Sequence, residues 1–356
     1  MIMNNNIQHN KPTIKPDDIE RVSDVLTSGW IAQGAKVESF EKALIDYLGI
    51  DGQAVAVSSG TAALYLALYS LGIGEGDEVI LPTYVCSAVL NAIFFTEAVP
   101  VLVDVNPDDF NISFEEVKKR LGEKTKAIIV PHIYGVPADI DELMGLGVPV
   151  IEDCAQSIGA KINGQMVGTF GDLSIFSFYA TKMLTTGQGG MVVSRNPDLI
   201  EKIRDFRAFD CRKEYKNRFN FQMTDIQAAL GIGQIKKLPF FIDRRKKIAE
   251  RYIETLNTKN RDRVFQQVSE RKESAYYRFV MKLTNGTEKT QKLFEENGVQ
   301  TIIPVETYEL LHRYLNLDKS AFGNAEEIAK TTLSIPIYPS LNEEEVLRIT
   351  QIMEKI

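Results

Sequence analysis

Between residues 54 and 194, short apolar runs alternate with helix-like segments, and this alternation restricts the chain to an α/β architecture. The runs 54–58, 78–81, 100–103, 126–131, 148–152, 173–178 and 191–194 read as strands. Segments 61–71, 86–95, 114–121 and 139–146 carry helical spacing between them. Strands that are apolar along their whole length are covered on both faces, so a mainly parallel central sheet with helices on each side is expected. Two helices come first, one opening at Pro16 and one over 37–47. A long helical stretch, 224–256, follows the last strand, and Pro239 within it predicts a kink or break. Beyond it the pattern becomes a smaller α+β unit, with strands at 275–283 and 300–303 and helices at 291–297 and 343–353. A chain of 356 residues is long for one core. The division expected is a large domain, 1–245, and a small C-terminal domain, 246–356.

Charge and cysteine usage narrow the class. The net charge is −7 and no lysine- or arginine-rich block stands out, which argues against nucleic acid as a partner. The densest basic stretch, Asp243 to Lys247, lies on the long helix and reads as a solvated face. Cys86, Cys154 and Cys211 are widely spaced and form no CxxC, so neither a disulfide framework nor a metal knuckle is indicated. No run has the length and apolarity of a membrane span, and the first residues lack a signal-peptide pattern. A cytoplasmic enzyme is expected.

The chemistry concentrates at two strand ends. Lys182 stands between the apolar run 173–178 and the glycine-rich turn that reaches Gly190. Asp153 closes the run Val148-Pro-Val-Ile-Glu-Asp153. A lysine amine can form a Schiff base with pyridoxal phosphate, and an aspartate can keep that cofactor's pyridine nitrogen protonated. An isolated loop lysine is more often simply solvated; the buried flank of Lys182 argues for a task. A third strand end, Ser58-Ser-Gly-Thr-Ala-Ala63, suits a phosphate. Gly60 permits close backbone approach, and the amides of Thr61 and Ala62 lie at a helix N-terminus. Ser-Gly-Thr is also an ordinary helix cap. Its weight comes from sharing a parallel sheet with Asp153 and Lys182, because ligands gather at the carboxyl ends of such strands.

Together, Ser59-Gly-Thr-Ala-Ala-Leu64, Gly76-Asp-Glu-Val-Ile80, Val99-Pro-Val-Leu-Val-Asp104, Tyr134-Gly-Val-Pro-Ala-Asp139, Glu152-Asp-Cys-Ala-Gln156, Phe176-Ser-Phe-Tyr-Ala-Thr-Lys182 and Asn220-Phe-Gln-Met-Thr-Asp-Ile-Gln-Ala-Ala229 resemble the DegT/StrS family from about residue 10 onward. These are pyridoxal-phosphate aminotransferases of fold type I, acting mostly on nucleotide-linked keto-sugars. The resemblance implies that Lys182 carries the cofactor, that Asp153 pairs with its ring nitrogen and that Gln156 lies beside its ring hydroxyl. It implies phosphate contacts at Thr61, Ala62 and Ser177, and an aromatic ring, Tyr84, over the pyridine face. It implies a homodimer in which Asn220 reaches the phosphate of the partner subunit. Three departures stand out: Gln188 replaces a usual glutamate, Met183 a common asparagine, and the segment 211–220 is short, so a lid there would be small. Lys182 itself argues against the dehydration that histidine-bearing relatives catalyse.

The activity expected is transfer of an amino group from glutamate to a nucleotide-linked 3-keto or 4-keto deoxyhexose, for an amino sugar of a surface polysaccharide or secondary metabolite. Two alternatives stay open: a keto-inositol or small keto-alcohol phosphate as acceptor, and a cofactor-binding regulator without turnover. Tyr308, His312 and Arg313 could meet a diphosphate, though each read singly belongs to a surface helix.

Overall fold

In the computed structural model, residues 6–257, 266, 268–284 and 286–356 are described. Helices α1 (Pro16–Ser28) and α2 (Ala35–Leu48) precede the first strand, β1 (Gln53–Val57). Then follow α3 (Gly60–Ser70), β2 (Glu78–Pro82), α4 (Ser87–Phe94), β3 (Val99–Val103), α5 (Phe114–Arg120), β4 (Thr125–Pro131), α6 (Ile140–Met144), β5 (Val150–Asp153), β6 (Leu173–Ser177) and β7 (Gly190–Ser194). The seven strands form one sheet in the order β1-β7-β6-β5-β4-β2-β3. Only β7 is reversed, pairing antiparallel with both β1 and β6, so the other six point the same way.

The sheet is two-sided because alternate residues of a strand face opposite ways. Val55 and Val57 enter one apolar cluster with Leu81, Ile129 and Ile151, while Ala54 and Ala56 enter another with Ile80, Ile128 and Val150. Helix α3 is apolar on nearly every side and is buried accordingly. Helix α7 (Pro197–Phe206), not anticipated from the sequence, packs against β1 and β7.

Helix α8 (Asp225–Asn257) runs unbroken through Pro239, correcting the expected interruption. Leu238, Phe241, Ile242 and Arg245 are buried around the proline, and the first half packs along α1 and α2, so tertiary contacts hold the helix through one missing hydrogen bond. The boundary expected at residue 246 falls inside this helix. Its second half joins a third cluster with Phe279, Met281, Phe294, Leu333, Ile335 and Ile349, to which the N-terminal Ile7 also belongs. There β8 (Phe279–Lys282) pairs antiparallel with β9 (Thr332–Ile335) beside α9 (Glu288–Glu296) and α12 (Glu343–Met353), whereas α10 (Leu311–Tyr314) and α11 (Gly323–Thr331) bury Leu311, Ala325 and Ile328 in the first cluster. The strand expected over 300–303 is reduced to a single bridge, Ile302 to Ser334, and the one over 275–283 is shortened to β8. The basic stretch of α8 is not uniformly solvated. Arg245 is 2% exposed and its guanidinium donates to the carbonyls of Tyr276, Tyr277 and Ile337. Among the described residues no helix is long and apolar enough to cross a membrane.

Candidate active site

Three elements whose strands share a direction end on one side of the sheet. β1 leads into the turn Ser58-Ser-Gly60, β5 ends at Asp153, and β6 ends at Ser177, five residues before Lys182. β5 and β6 are adjacent, with Asp153 opposite Ile175, so Asp153 and Ser177 lie close to one another along neighbouring strand ends. At the third end, Ser59 caps α3 by accepting from the Ala62 amide at 3.1 Å. The Ala62 donor anticipated for a phosphate is thereby engaged within the cap, and the Thr61 amide has no partner among the described residues. A Cβ on Gly60 would lie 2.8 Å from the Ser177 Cβ and 3.0 Å from its Oγ, so only glycine lets the turn approach that hydroxyl.

Asp153 is 7% exposed, and among the described residues its carboxylate accepts one hydrogen bond, from the Ala155 amide at 3.0 Å. Burial pushes its carboxyl above the usual range; the Ala155 amide and the charge of Lys182 oppose this only in part. Lys182 is half-buried, with its Nζ 5.3 Å from the centre of the Tyr277 ring. Burial raises the Cys86 thiol, at the start of α4; the charge of Lys182 opposes the rise and Asp153 adds to it. Gln156 turns its Oε1 to the Tyr134 amide at 3.0 Å, which leaves its NH2 free to donate.

Beside Asp153, Glu152 faces the other way. It accepts from the amides of Gly168, Phe170 and Gly171, from Ser174 and from the His132 Nε2. Burial alone would raise its carboxyl, but these donors, His132 first, hold it below the usual value. His132 accepts the Ala138 amide at Nδ1, so the proton it gives Glu152 sits on Nε2. His132, Glu152 and Cys154 offer ligand atoms within 4.8 Å of one another, yet both ring nitrogens and both carboxylate oxygens are already engaged, which marks a brace for the turn 168–171.

The structure places Tyr84 elsewhere than over a cofactor ring. It is 0% exposed, its hydroxyl meets Tyr134 at 2.9 Å and Thr332 at 3.3 Å, and burial pushes its phenol up to about 12. A ring lining an open pocket would be wetted there; this one is sealed in the core. His312 is likewise no surface residue. It is buried between Thr83 and Glu326, and Glu326 also receives Arg313 in two hydrogen bonds, while Tyr308 stays exposed. A cavity of about 840 Å3 lies away from Lys182, walled by Tyr65, Tyr69, Phe95 and Phe219 and by the basic loop around Arg212 and Lys216. Sequence reasoning passed over Tyr277 and Arg278; the only signal was a cationic residue inside an apolar strand-like run.

This fold, with a lysine and a buried, under-satisfied aspartate at strand ends and an amide turn beside a serine hydroxyl, defines an enzyme that uses a phosphorylated aldehyde cofactor. The chain belongs to the DegT/DnrJ/EryC1/StrS aminotransferase family, whose sequence model matches residues 12–354. It is 33% identical to the GDP-perosamine synthase of Escherichia coli O157:H7, over 96% of each chain. It is 33% identical to the spore coat polysaccharide biosynthesis protein SpsC of Bacillus subtilis (strain 168), over 96% of this chain and 95% of the other. Spr1654 of Streptococcus pneumoniae, solved in a PLP form, superposes with a TM-score of 0.90 at 26% identity, covering 98% of each chain. The protein is therefore a pyridoxal-phosphate-dependent aminotransferase.

The residues fit that cofactor. The turn at Gly60 and Thr61 with Ser177 offers donors to a phosphate, and Asp153 lacks the positive partner that a protonated ring nitrogen provides. When bound, pyridoxal phosphate supplies an electron sink for the carbon that exchanges its amino group.

Proposed function

We propose that this enzyme moves an amino group from glutamate to a nucleotide-linked keto-deoxysugar. The observation that supports it most is the pair of relatives whose names specify a GDP-linked amino sugar and a coat polysaccharide, matched over nearly the whole chain. In this reading Lys182 carries the cofactor and, once released from it, moves the proton at the reacting carbon as general base and then acid. Asp153 pairs with the ring nitrogen and Gln156 donates toward the ring hydroxyl. Gly60, Thr61, Ala62 and Ser177 form the phosphate cradle, with the Ala62 amide shared between the cradle and the Ser59 cap. Keeping Asp153 charged while buried is the task of the cofactor's cation.

The assembly proposed is a homodimer with shared sites. Asn220 is exposed, and it sits between Phe219 and Phe221, whose rings stack at 5.1 Å beside Tyr65 at the mouth of the large cavity. A second copy seated there would bring its own Asn220 within reach of this chain's cradle. The acceptor is proposed to lie between the sheet's carboxyl edge and the unit beyond residue 246. The test is a donor-loaded enzyme offered dTDP-, UDP- and GDP-linked keto-sugars and, separately, keto-inositols. Return of the original cofactor absorbance with a sugar nucleotide supports the proposal. Return with keto-inositols alone sinks it.

A further inference from the structure

The partner of the Lys182 amine is an aromatic ring. Its Nζ lies 5.3 Å from the centre of Tyr277. Among the described residues no acid lies within ion-pair distance of it and it donates no hydrogen bond, whereas Lys237 and Lys272, also half-buried or buried, hold Asp18 at 2.8 Å and Asp109 at 3.0 Å. Tyr277 is 3% exposed and clamped by its neighbours. The Arg245 guanidinium donates to its carbonyl at 3.1 Å. On either side of it, the Ala275 amide donates to the Gly135 carbonyl at 3.0 Å and the Arg278 amide to the Tyr134 carbonyl at 3.3 Å. Gly135 has a φ of +94°, and a Cβ there would lie 2.9 Å from the Tyr277 nitrogen, so only glycine admits this approach. The backbone of the lysine is fixed as well. Its amide donates to the Tyr179 carbonyl at 2.9 Å, and the Asn10 side chain donates to the Thr181 carbonyl at 2.9 Å.

A ring face and an acid treat an amine differently. The face is the negative end of a quadrupole, so it attracts an ammonium. It offers no base that could take the proton away, as a carboxylate would. A lysine nitrogen that takes a proton from carbon begins neutral and gains positive charge during the transfer. Its attraction to the ring grows with that charge, so the ring favours the transfer over the resting amine. The Tyr277 phenol reports the charges around it. Burial raises it, yet Lys182, then Arg278 and a hydrogen bond from Thr181, pull it below its usual value. The Arg278 guanidinium lies 5.2 Å from the same ring centre, which keeps the ring in a cationic setting.

We infer that Tyr277 is a positioning residue whose ring seats the Lys182 amine whenever that amine is free of the cofactor, and steadies the charge it carries between its two proton transfers. This rests on the reading of Lys182 as the cofactor's lysine and proton carrier. Once released, a lysine side chain has four rotatable bonds and many rotamers open to it. The ring gives it one favoured place. Because the ring belongs to the chain entering β8 and the lysine to the turn after β6, the seat is made by the C-terminal unit and the large sheet together.

The test compares Tyr277→Leu and Tyr277→Phe with the parent. Lysines of the cofactor-free protein are dimethylated with carbon-13 formaldehyde, and the Lys182 signal is identified by its absence from Lys182→Arg. In the parent the ring should move that signal upfield. Tyr277→Leu should return it to the position of exposed lysines, and Tyr277→Phe should keep it upfield. In the holoenzyme, Tyr277→Leu should slow the half-reaction with glutamate roughly 2- to 30-fold, the range of a cation–π contact. The slowed step should show a primary isotope effect with α-deuterated glutamate. Tyr277→Phe should recover most of the rate, which shows that the leucine result is not misfolding; thermal melting and cofactor affinity are the controls. An unshifted parent signal, a Tyr277→Leu half-reaction at the parent rate, or a slowing without an isotope effect overturns the inference. Tyr277→Phe as slow as Tyr277→Leu also overturns it, in favour of the phenol. Borohydride separates this from the reading beneath it. Cofactor fixed to another lysine overturns both, whereas cofactor fixed to Lys182 with unchanged kinetics in Tyr277→Leu overturns the seat alone.

Discussion

Glu152 and Asp153 are consecutive carboxylates on one strand, both buried, with opposite fates. Glu152 projects to a side where five donors await it, and they hold it ionised as a brace. Asp153 projects to the opposite side with one backbone donor to its carboxylate among the described residues, and burial raises its pKa. The strand's two-residue period separates them: on one side of β5 the chain itself satisfies the carboxylate, on the other it leaves the carboxylate a single donor. Burial of an acid is therefore no guide to its role; the count of donors around it is.

The contrast can be broken most severely at Lys182. Lys182→Ala should keep the fold and lose transamination by ~10²–10⁴-fold, and borohydride should fix the cofactor to the peptide containing Lys182 in the parent. Labelling of another lysine would remove the ligand side of the contrast altogether. Glu152→Ala should do the reverse, leaving the Gly168, Phe170 and Gly171 amides buried without an acceptor. A loss of roughly 3 kcal/mol or more in chemical denaturation is expected; a variant of parental stability would show that the brace is not needed. Asp153→Asn should leave the stability of the cofactor-loaded enzyme nearly intact and slow the half-reaction with glutamate by about 1.5–3 kcal/mol in barrier, read by stopped-flow absorbance. Turnover at the parent rate would contradict the pairing.

The smallest effect is in the pH dependence of the cofactor-free protein. The pKa of Asp153 is raised on folding, so its burial is tolerated at low pH and becomes destabilising as pH rises through the folded value. Asp153→Asn should therefore gain stability relative to the parent at neutral pH and lose that advantage in acid. The pKa of Glu152 is lowered, so its contribution is present above the usual carboxylate value and is lost as pH falls through the folded one. Denaturation curves from pH 3 to 8 showing the same slope for Asp153→Asn and Glu152→Gln would erase the distinction.

Most of the sheet was legible because its strands are apolar throughout and the helices between them keep the 3.6-residue period. Lys182, Asp153 and the turn at Gly60 stand out in the sequence because each follows such a strand, and the structure places all three beyond strand ends on one side of the sheet. The C-terminal unit was less so. Pro239 argued for a break that buried Leu238 and Phe241 override, and Arg245 looked solvated because the three carbonyls that cap it come from 276, 277 and 337. Tyr84 could be assigned to the site only by resemblance; its bonds to Tyr134 and Thr332 span 50 and 248 positions and leave no local pattern. Helix α7 was missed although Leu199, Ile200 and Ile203 give it an amphipathic spacing of its own behind an Asn196 cap, whereas strand β9 takes its buried faces from its neighbours.

The pairing of β1 with β7 bears on the order of assembly. Of the seven strands, β1 leaves the ribosome first and β7 last, yet β1 pairs with β7 and with no other strand of the sheet. Its ladder must wait until the rest of the sheet has been made, a contact of high sequence separation that slows folding. The turn at Gly60 hangs from the end of β1, and a Cβ on Gly190 would lie 2.3 Å from the Ser59 carbonyl, so the closing strand also packs closely against that turn. A chain truncated before residue 190 should therefore leave β1 unpaired, bind no cofactor and remain colourless.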